Sequence, residues 1–151
     1  MAADDLTIRE RLTIQMQYVV PLVRDLQDIL GEDVVNAALE ERITRQLERA
    51  RSRPAPTLDL RQMAEGTRAY AAGDSLEYEV VAVEADRFDM NVTRCAYAAM
   101  MEGLQARDIG HLLICGLDFP MAAESGAELT RTQTCMQGAS HCDFRYRRRS
   151  E

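Results

Sequence analysis

Lysine is missing altogether, and all 18 basic residues among the 151 are arginine. A chain without lysine forms neither a Schiff base with a carbonyl substrate nor a P-loop around a nucleotide, so those enzyme classes are excluded. Tryptophan is absent too, and histidine occurs only as His111 and His141. The four cysteines, Cys95, Cys115, Cys135 and Cys142, include no C-x-x-C pair, which removes zinc-ribbon and thioredoxin-type readings. No apolar run approaches the roughly 20 residues of a membrane span; the longest, at 16–23 and 80–83, are short and interrupted. The opening stretch 1–13 lacks a basic region followed by an apolar one, so no secretory signal is expected. The expected location is the cytoplasm, where thiols stay reduced and structural disulfides are the last reading of four cysteines. A net charge of −7 argues against nucleic acid as a partner. The basic stretch 145–149 is the exception, and it reads as a solvated terminus after a strand.

What is present has the composition of an ordinary globular chain, long enough for one domain over 1–151 with a core of its own. Residues 1–73 read as helical. Leu12, Met16, Val19, Val23, Leu26 and Leu30 step by three and four along a first helix from about Asp5 to Leu30. Pro21 is expected to kink or divide that helix, and Gly31 to stop it. Val35, Leu39, Ile43, Leu47 and Ala50 mark a second helix, residues 51–57 a proline-broken connector, and 58–72 a third helix.

From residue 74 the period changes to two. Leu76, Tyr78, Val80 and Ala82 alternate with Glu77 and Glu79, and after a turn at 84–86 Phe88, Met90 and Val92 alternate with Asp89, Asn91 and Thr93. This predicts an antiparallel hairpin. A helix is expected from Cys95 to Leu104, a further helical stretch over 108–123 bent near Gly116 and Pro120, and a second hairpin with strands 130–136 and 142–148 around a turn at 137–141. The fold class is therefore α+β: N-terminal helices packed on a four-stranded antiparallel sheet of two hairpins with intervening helices.

Candidate chemistry concentrates in the last sixty residues. Cys95 stands where a strand meets a helix, and a thiol near a helix N-terminus loses pKa, which suits a nucleophile. The alternative is a small buried hydrophobe. Asn91 and Thr93 share its alternating face. Asp118, an acid among apolar neighbours, can orient a histidine or activate water; the alternative is a turn carboxylate. His141 lies at a glycine-containing turn directly before Cys142, whereas His111 sits mid-helix and reads as packed or solvated. Cys95, Cys115, His141 and Cys142 also have zinc-ligand chemistry, but their spacing matches no compact ligand motif. Cys135 reads as core or strand.

Four blocks, Asn91-Val92-Thr93-Arg94-Cys95-Ala96-Tyr97, Leu112-Leu113-Ile114-Cys115-Gly116-Leu117-Asp118-Phe119, Glu128-Leu129-Thr130-Arg131-Thr132-Gln133-Thr134 and Gly138-Ala139-Ser140-His141-Cys142-Asp143-Phe144-Arg145-Tyr146, resemble in order and spacing the L-2-amino-thiazoline-4-carboxylic acid hydrolase family. The chain departs from the family's pattern at Ala96, where many members carry proline, and at Cys135, where an aliphatic residue is expected. The resemblance implies a hydrolase of C–N bonds in cyclic amidines, adding water at the ring carbon between nitrogen and sulfur to give an N-carbamoyl amino acid. Within that implied reaction, Cys95 attacks the amidine carbon and His141 or Asp118 moves the proton, with Cys142 alongside. Arg131 or Arg94 holds a substrate carboxylate, and Thr132 and Thr134 donate hydrogen bonds, with Asn91 and Thr93 lining the same site. A small heterocyclic substrate is the expected partner, with neither cofactor nor membrane, and self-association is left open. Water activated by a metal on the cysteines is the competing chemistry. The spacing from Gly138 to Cys142 also resembles vinyl-4-reductase-type sensor domains, in which the same residues bind a ligand or metal without turnover.

Overall fold

The computed structural model describes residues 5–150; Met1 to Asp4, part of the stretch on which the signal-sequence expectation rests, lie outside them. The first helix, α1 (Ile8–Leu30), opens on a capping box in which the Glu10 amide donates to Thr7 Oγ1 and the Thr7 amide to Glu10 Oε2, at 3.2 and 2.7 Å. It runs through Pro21 without division. Proline removes one hydrogen bond, and burial of Met16, Val20 and Val23 around it holds the helix together. Gly31, at φ +97°, ends α1 and caps α2 (Glu32–Arg51). After the connector, α3 (Leu60–Ala71) starts at Asp59, whose carboxylate accepts from the Arg61 amide.

The sheet follows: β1 (Leu76–Val83), β2 (Arg87–Cys95), β3 (Ala127–Thr130) and β4 (Cys142–Arg148), all antiparallel in the order β1-β2-β4-β3. Both expected hairpins thus lie in one sheet, with β4 registered against β2. Between β2 and β3 come α4 (Ala96–Gly103), α5 (Arg107–Leu113), a single 3-10 turn Cys115–Leu117, and α6 (Asp118–Glu124). The expected bend falls at Gly116. None falls at Pro120, because it occupies the first turn of α6, where its missing N–H would have had no partner.

The second hairpin departs from expectation. Its first strand is Ala127–Thr130, and residues 131–141 form a long connection. Asp143 explains this, since its carboxylate accepts from the Thr132 amide, the Thr132 hydroxyl and the Gln133 amide at 2.9, 2.5 and 3.0 Å. Local side-chain bonds of this kind replace a strand ladder.

Two apolar cores result. Helices α1, α2, α4 and α5 enclose Met16, Val20, Val35, Met101, Ile109 and Leu112. The sheet, α3 and α6 enclose Phe88, Met90, Val92, Leu60 and Ala122, with Phe144 and Tyr146 packed against them. Tyr146 stacks with both Phe88 and Phe144, at 5.6 and 5.9 Å between centroids. The basic stretch 145–149 is not a solvated terminus. It is largely β4 itself: Arg147 pairs with buried Asp89, Arg145 donates to Asn91 Oδ1, and Arg149 donates to the carbonyls of Ala123, Ala50 and Arg51. Among the described residues no helix is long and apolar enough to cross a membrane.

Candidate active site

Cys95 is the last residue of β2 and the cap of α4, as the strand-to-helix pattern requires. Its direction is set by an irregularity. Tyr78 pairs with Val92 and Glu77 with Arg94, which leaves Thr93 as an extra residue in β2. A bulge of one residue returns the following positions to the other face. Cys95 therefore joins the core face of Val92 and packs against both apolar cores, at the seam between them. Asn91 and Thr93 do not share that face. Asn91 Oδ1 accepts from Arg145, and the Thr93 hydroxyl donates to the Glu77 carbonyl.

Burial pushes the Cys95 thiol above its ordinary value, and the amides of Ala98 and Tyr97 at the start of α4 only partly offset this. The helix-terminus effect is present, but desolvation outweighs it.

Asp118 opens α6, and Arg131 follows β3 directly. Their side chains meet at 2.5 Å, Arg131 Nη1 to Asp118 Oδ2, while Arg131 Nη2 donates to the Cys115 carbonyl at 2.8 Å. The guanidinium, on a side chain 5% exposed, lies 5.1 Å from the Phe119 ring centroid and 4.9 Å from that of Phe144. A planar cation between two aromatic faces is fixed in orientation. Burial raises the Asp118 carboxyl above the usual range, against the pull of Arg131. Burial also works against the charge on Arg131, but Asp118 outweighs it.

The charge of Asp118 reaches Cys95 and Cys115, and that of Arg131 reaches Cys115; Cys135 lies within reach of Cys95 and Cys142. Cys142 Sγ accepts from the Cys135 amide at 3.2 Å, and burial pushes its thiol up to about 12. Burial raises Cys115 further, with Asp118 adding to it. Tyr70 and Tyr146 also feel Asp118, their hydroxyls raised chiefly by burial. A groove of about 310 Å³ on the α2 side is lined by Glu40, Ile43, His111, Gly116, Phe119 and Arg131. Its volume lies at the small end of ligand sites.

Thus Asp118 pairs with Arg131, its charge reaches Cys95 and that of Cys142 reaches Arg131, while the other candidates are engaged elsewhere. The His141 ring is engaged by the Gln133 side-chain amide and the Ser140 hydroxyl. Thr132 serves Asp143, and Thr134 caps the turn Cys135–Gln137. Arg94 pairs with Glu77 at the surface. Among the described residues no group of three or more His, Cys, Asp or Glu side chains is placed to hold a metal. Sequence reasoning missed Phe119, Phe144, Tyr146 and Tyr70. The alternation Cys142, Phe144, Tyr146 on one strand was the available signal for two of them.

Solved structures similar to this one at low identity include three from different proteins. The phenol-responsive sensory domain of the transcription activator PoxR, with phenol, is 12% identical, with 85% of this chain and 71% of that one covered at a TM-score of 0.47. A trafficking protein particle complex subunit 3 from Naegleria fowleri, covalently bound to palmitic acid, is 14% identical, with 94% and 95% covered at a TM-score of 0.43. The Fe(II) unliganded H-NOX protein from K. algicida is 10% identical, with 90% and 74% covered at a TM-score of 0.39. No curated protein matches the sequence significantly. The profile of one protein family spans residues 11–146, nearly the whole chain and all four motif blocks, and by that match the chain belongs to the L-2-amino-thiazoline-4-carboxylic acid hydrolase family.

Proposed function

We propose that this chain hydrolyses a small cyclic amidine bearing a carboxylate, a ring of the 2-aminothiazoline-4-carboxylate type, using Cys95, Asp118 and Arg131. What supports this reading is that Cys95, half-buried between the two cores, feels the charge of Asp118, whose carboxyl is raised by burial and paired with the buried Arg131. A thiol raised above its ordinary value needs a base beside it, and a carboxyl whose pKa is also raised is better matched to that transfer than an ordinary aspartate.

In the proposed sequence Arg131 orients the substrate carboxylate from the groove. Asp118 takes the Cys95 proton as the sulfur bonds to the amidine carbon. The ring carbon–sulfur bond breaks, and the leaving sulfur takes the proton back from Asp118. Water then adds to the enzyme-bound isothiourea carbon and expels Cys95 as a thiol, leaving an N-carbamoyl amino acid. For a thiazoline the ring bond released is therefore carbon–sulfur. Carbon–nitrogen cleavage applies to imidazoline analogues, in which nitrogen replaces the ring sulfur. Cys142, buried and with its thiol pushed to about 12, supports the pocket and takes no proton in this scheme. We place the reaction in the cytoplasm on the ground of four unpaired cysteines.

The test is ring opening of a panel of aminothiazoline and imidazoline carboxylates by the purified protein. The wild type is expected to open at least one of them and to form a mass-detectable adduct on Cys95. Cys95→Ser should keep the fold yet lose about 10²-fold or more in turnover. If no ring is opened but one binds, the chain is a ligand-binding domain and the hydrolase reading fails.

A further inference from the structure

Helix α1 is apolar on two sides. Met16, Val20 and Val23 turn one side into the helical core, together with buried Gln27. Ile14, Tyr18, Leu22, Leu26 and Ile29 follow one another at steps of four and three, which sets them in a second stripe nearly opposite the first. They are 57, 75, 47, 38 and 76% exposed. Leu30 and Val34, on either side of Gly31, are exposed as well. A helix on a protein surface ordinarily hydrates its outer face with charge, and one that is apolar all round is covered on both sides.

The five exposed fractions amount to about three fully exposed large side chains, on the order of 450 Å² at roughly 150 Å² each. That is the size of the largest apolar patch on a typical monomer, roughly 300–600 Å², and such patches are often functional. With the flanking polar residues of a helix about 35 Å long, it approaches the roughly 800 Å² per partner of a specific interface.

The ends of the stripe carry opposite charge. Arg11 stands at its N-terminal end and Asp25 on the same side toward the C-terminal end, with Asp28, Glu32 and Asp33 beyond. Parallel pairing of two copies would set like charge against like. Antiparallel pairing about a two-fold axis at Tyr18 sets Arg11 of one copy beside Asp25 of the other, and Ile14 against Leu22, with Leu26 and Ile29 covered at the ends by the stems of Glu10 and Thr7. We propose that this face is the interface of a homodimer, formed by two copies of α1 packed antiparallel across Tyr18. Such an interface is self-complementary and closes. The acidic flank disfavours an anionic membrane as the occupant, since surface-binding helices are flanked by basic residues.

Sedimentation velocity across a concentration series, up to about 200 µM, tests the proposal. The wild type is expected to be dimeric with a micromolar or tighter constant. Tyr18→Glu, at a position 75% exposed, should leave circular dichroism and thermal unfolding of the monomer unchanged and weaken self-association by at least about 30-fold. Arg11→Glu and Asp25→Arg should each weaken it, and the two together should restore it, as the antiparallel arrangement requires. A wild type that stays monomeric overturns the proposal. So does a dimer indifferent to Tyr18→Glu, or one that the double charge exchange does not restore. A monomer that floats with phosphatidylglycerol-containing vesicles through this stripe also overturns it, by assigning the face to lipid.

Discussion

Two opposing effects act on the Cys95 thiol. The amides at the start of α4 lower its pKa, and the two cores it joins raise it by removing its water. Because burial wins, alkylation by iodoacetamide is expected to be slow at pH 7 and to rise about tenfold per pH unit toward pH 9, as the thiolate fraction does below the pKa. Cys95 should still react before Cys142, which is more buried and whose thiol is raised to about 12. Asp118→Asn removes a neighbouring negative charge that raises the Cys95 thiol. It should therefore speed alkylation a few-fold while lowering turnover by about 10²-fold or more, the range of general-base catalysis. Peptide mapping of the label and ring-opening rates read the two effects separately, and an Asp118→Asn variant with wild-type turnover ends its role as base. The position of Cys95 was legible from the strand-to-helix pattern. Its direction was not, because the extra residue at Thr93 is a property of register with β1, which alternation within one strand does not record.

At the scale of elements, periodicity located the helices and the first hairpin, where an apolar stripe and a core face coincide. It failed for residues 131–141, where threonine-rich alternation suggests a strand but Asp143 binds the backbone of Thr132 and Gln133 instead. This loop carries Arg131 to Asp118, so its conformation belongs to the site. Asp143→Ala is expected to cost about 1–3 kcal/mol by leaving those amides without their carboxylate, and to impair catalysis through displaced Arg131 more than Thr132→Ala does. Denaturant midpoints and ring-opening rates of the two variants check this. The turn into β3 has a different constraint. Gly126 sits at φ +94°, and a Cβ there would lie 2.6 Å from the Pro56 carbonyl oxygen, which is backbone and cannot swing away. Gly126→Ala should destabilise by about 1–3 kcal/mol, from the unfavourable φ and the forced shift together. A thermal midpoint equal to that of the wild type would show that the turn relaxes freely.

Across the whole molecule, arginine replaces lysine everywhere, and much of the tertiary structure is pinned by its planar fork. The sequence shows the arginines as a charge run; which of them are structural depends on partners distant in the chain, such as Glu128 for Arg51 and Asp89 for Arg147. Asp89 is the most telling of these, a carboxylate 1% exposed in the central strand pair. Burial pushes its pKa up, yet hydrogen bonds and charge from Arg147 and Arg87 outweigh burial and hold it below the ordinary carboxyl value of 3.8. A carboxyl depressed in the folded state stabilises the fold above its unfolded pKa, and that contribution fades as pH falls through the folded value. Asp118 has the opposite sign: its raised pKa favours the fold at acid pH and loses that advantage as pH rises through the folded value. Asp89→Asn keeps the shape and removes the charge. At pH 7 it should lower stability by about 1–3 kcal/mol, the scale of hydrogen bonds to charged groups. The deficit should begin to shrink as pH drops below about 4, where the carboxyl of the unfolded chain takes up a proton, and should be gone once pH has fallen through the depressed folded value and Asp89 is protonated in both states. Urea unfolding of both proteins from pH 7 to pH 2.5 measures it. A deficit that stays constant over that range would mean that the amide perturbs packing, and that the Arg87–Asp89–Arg147 contacts contribute little as ion pairs.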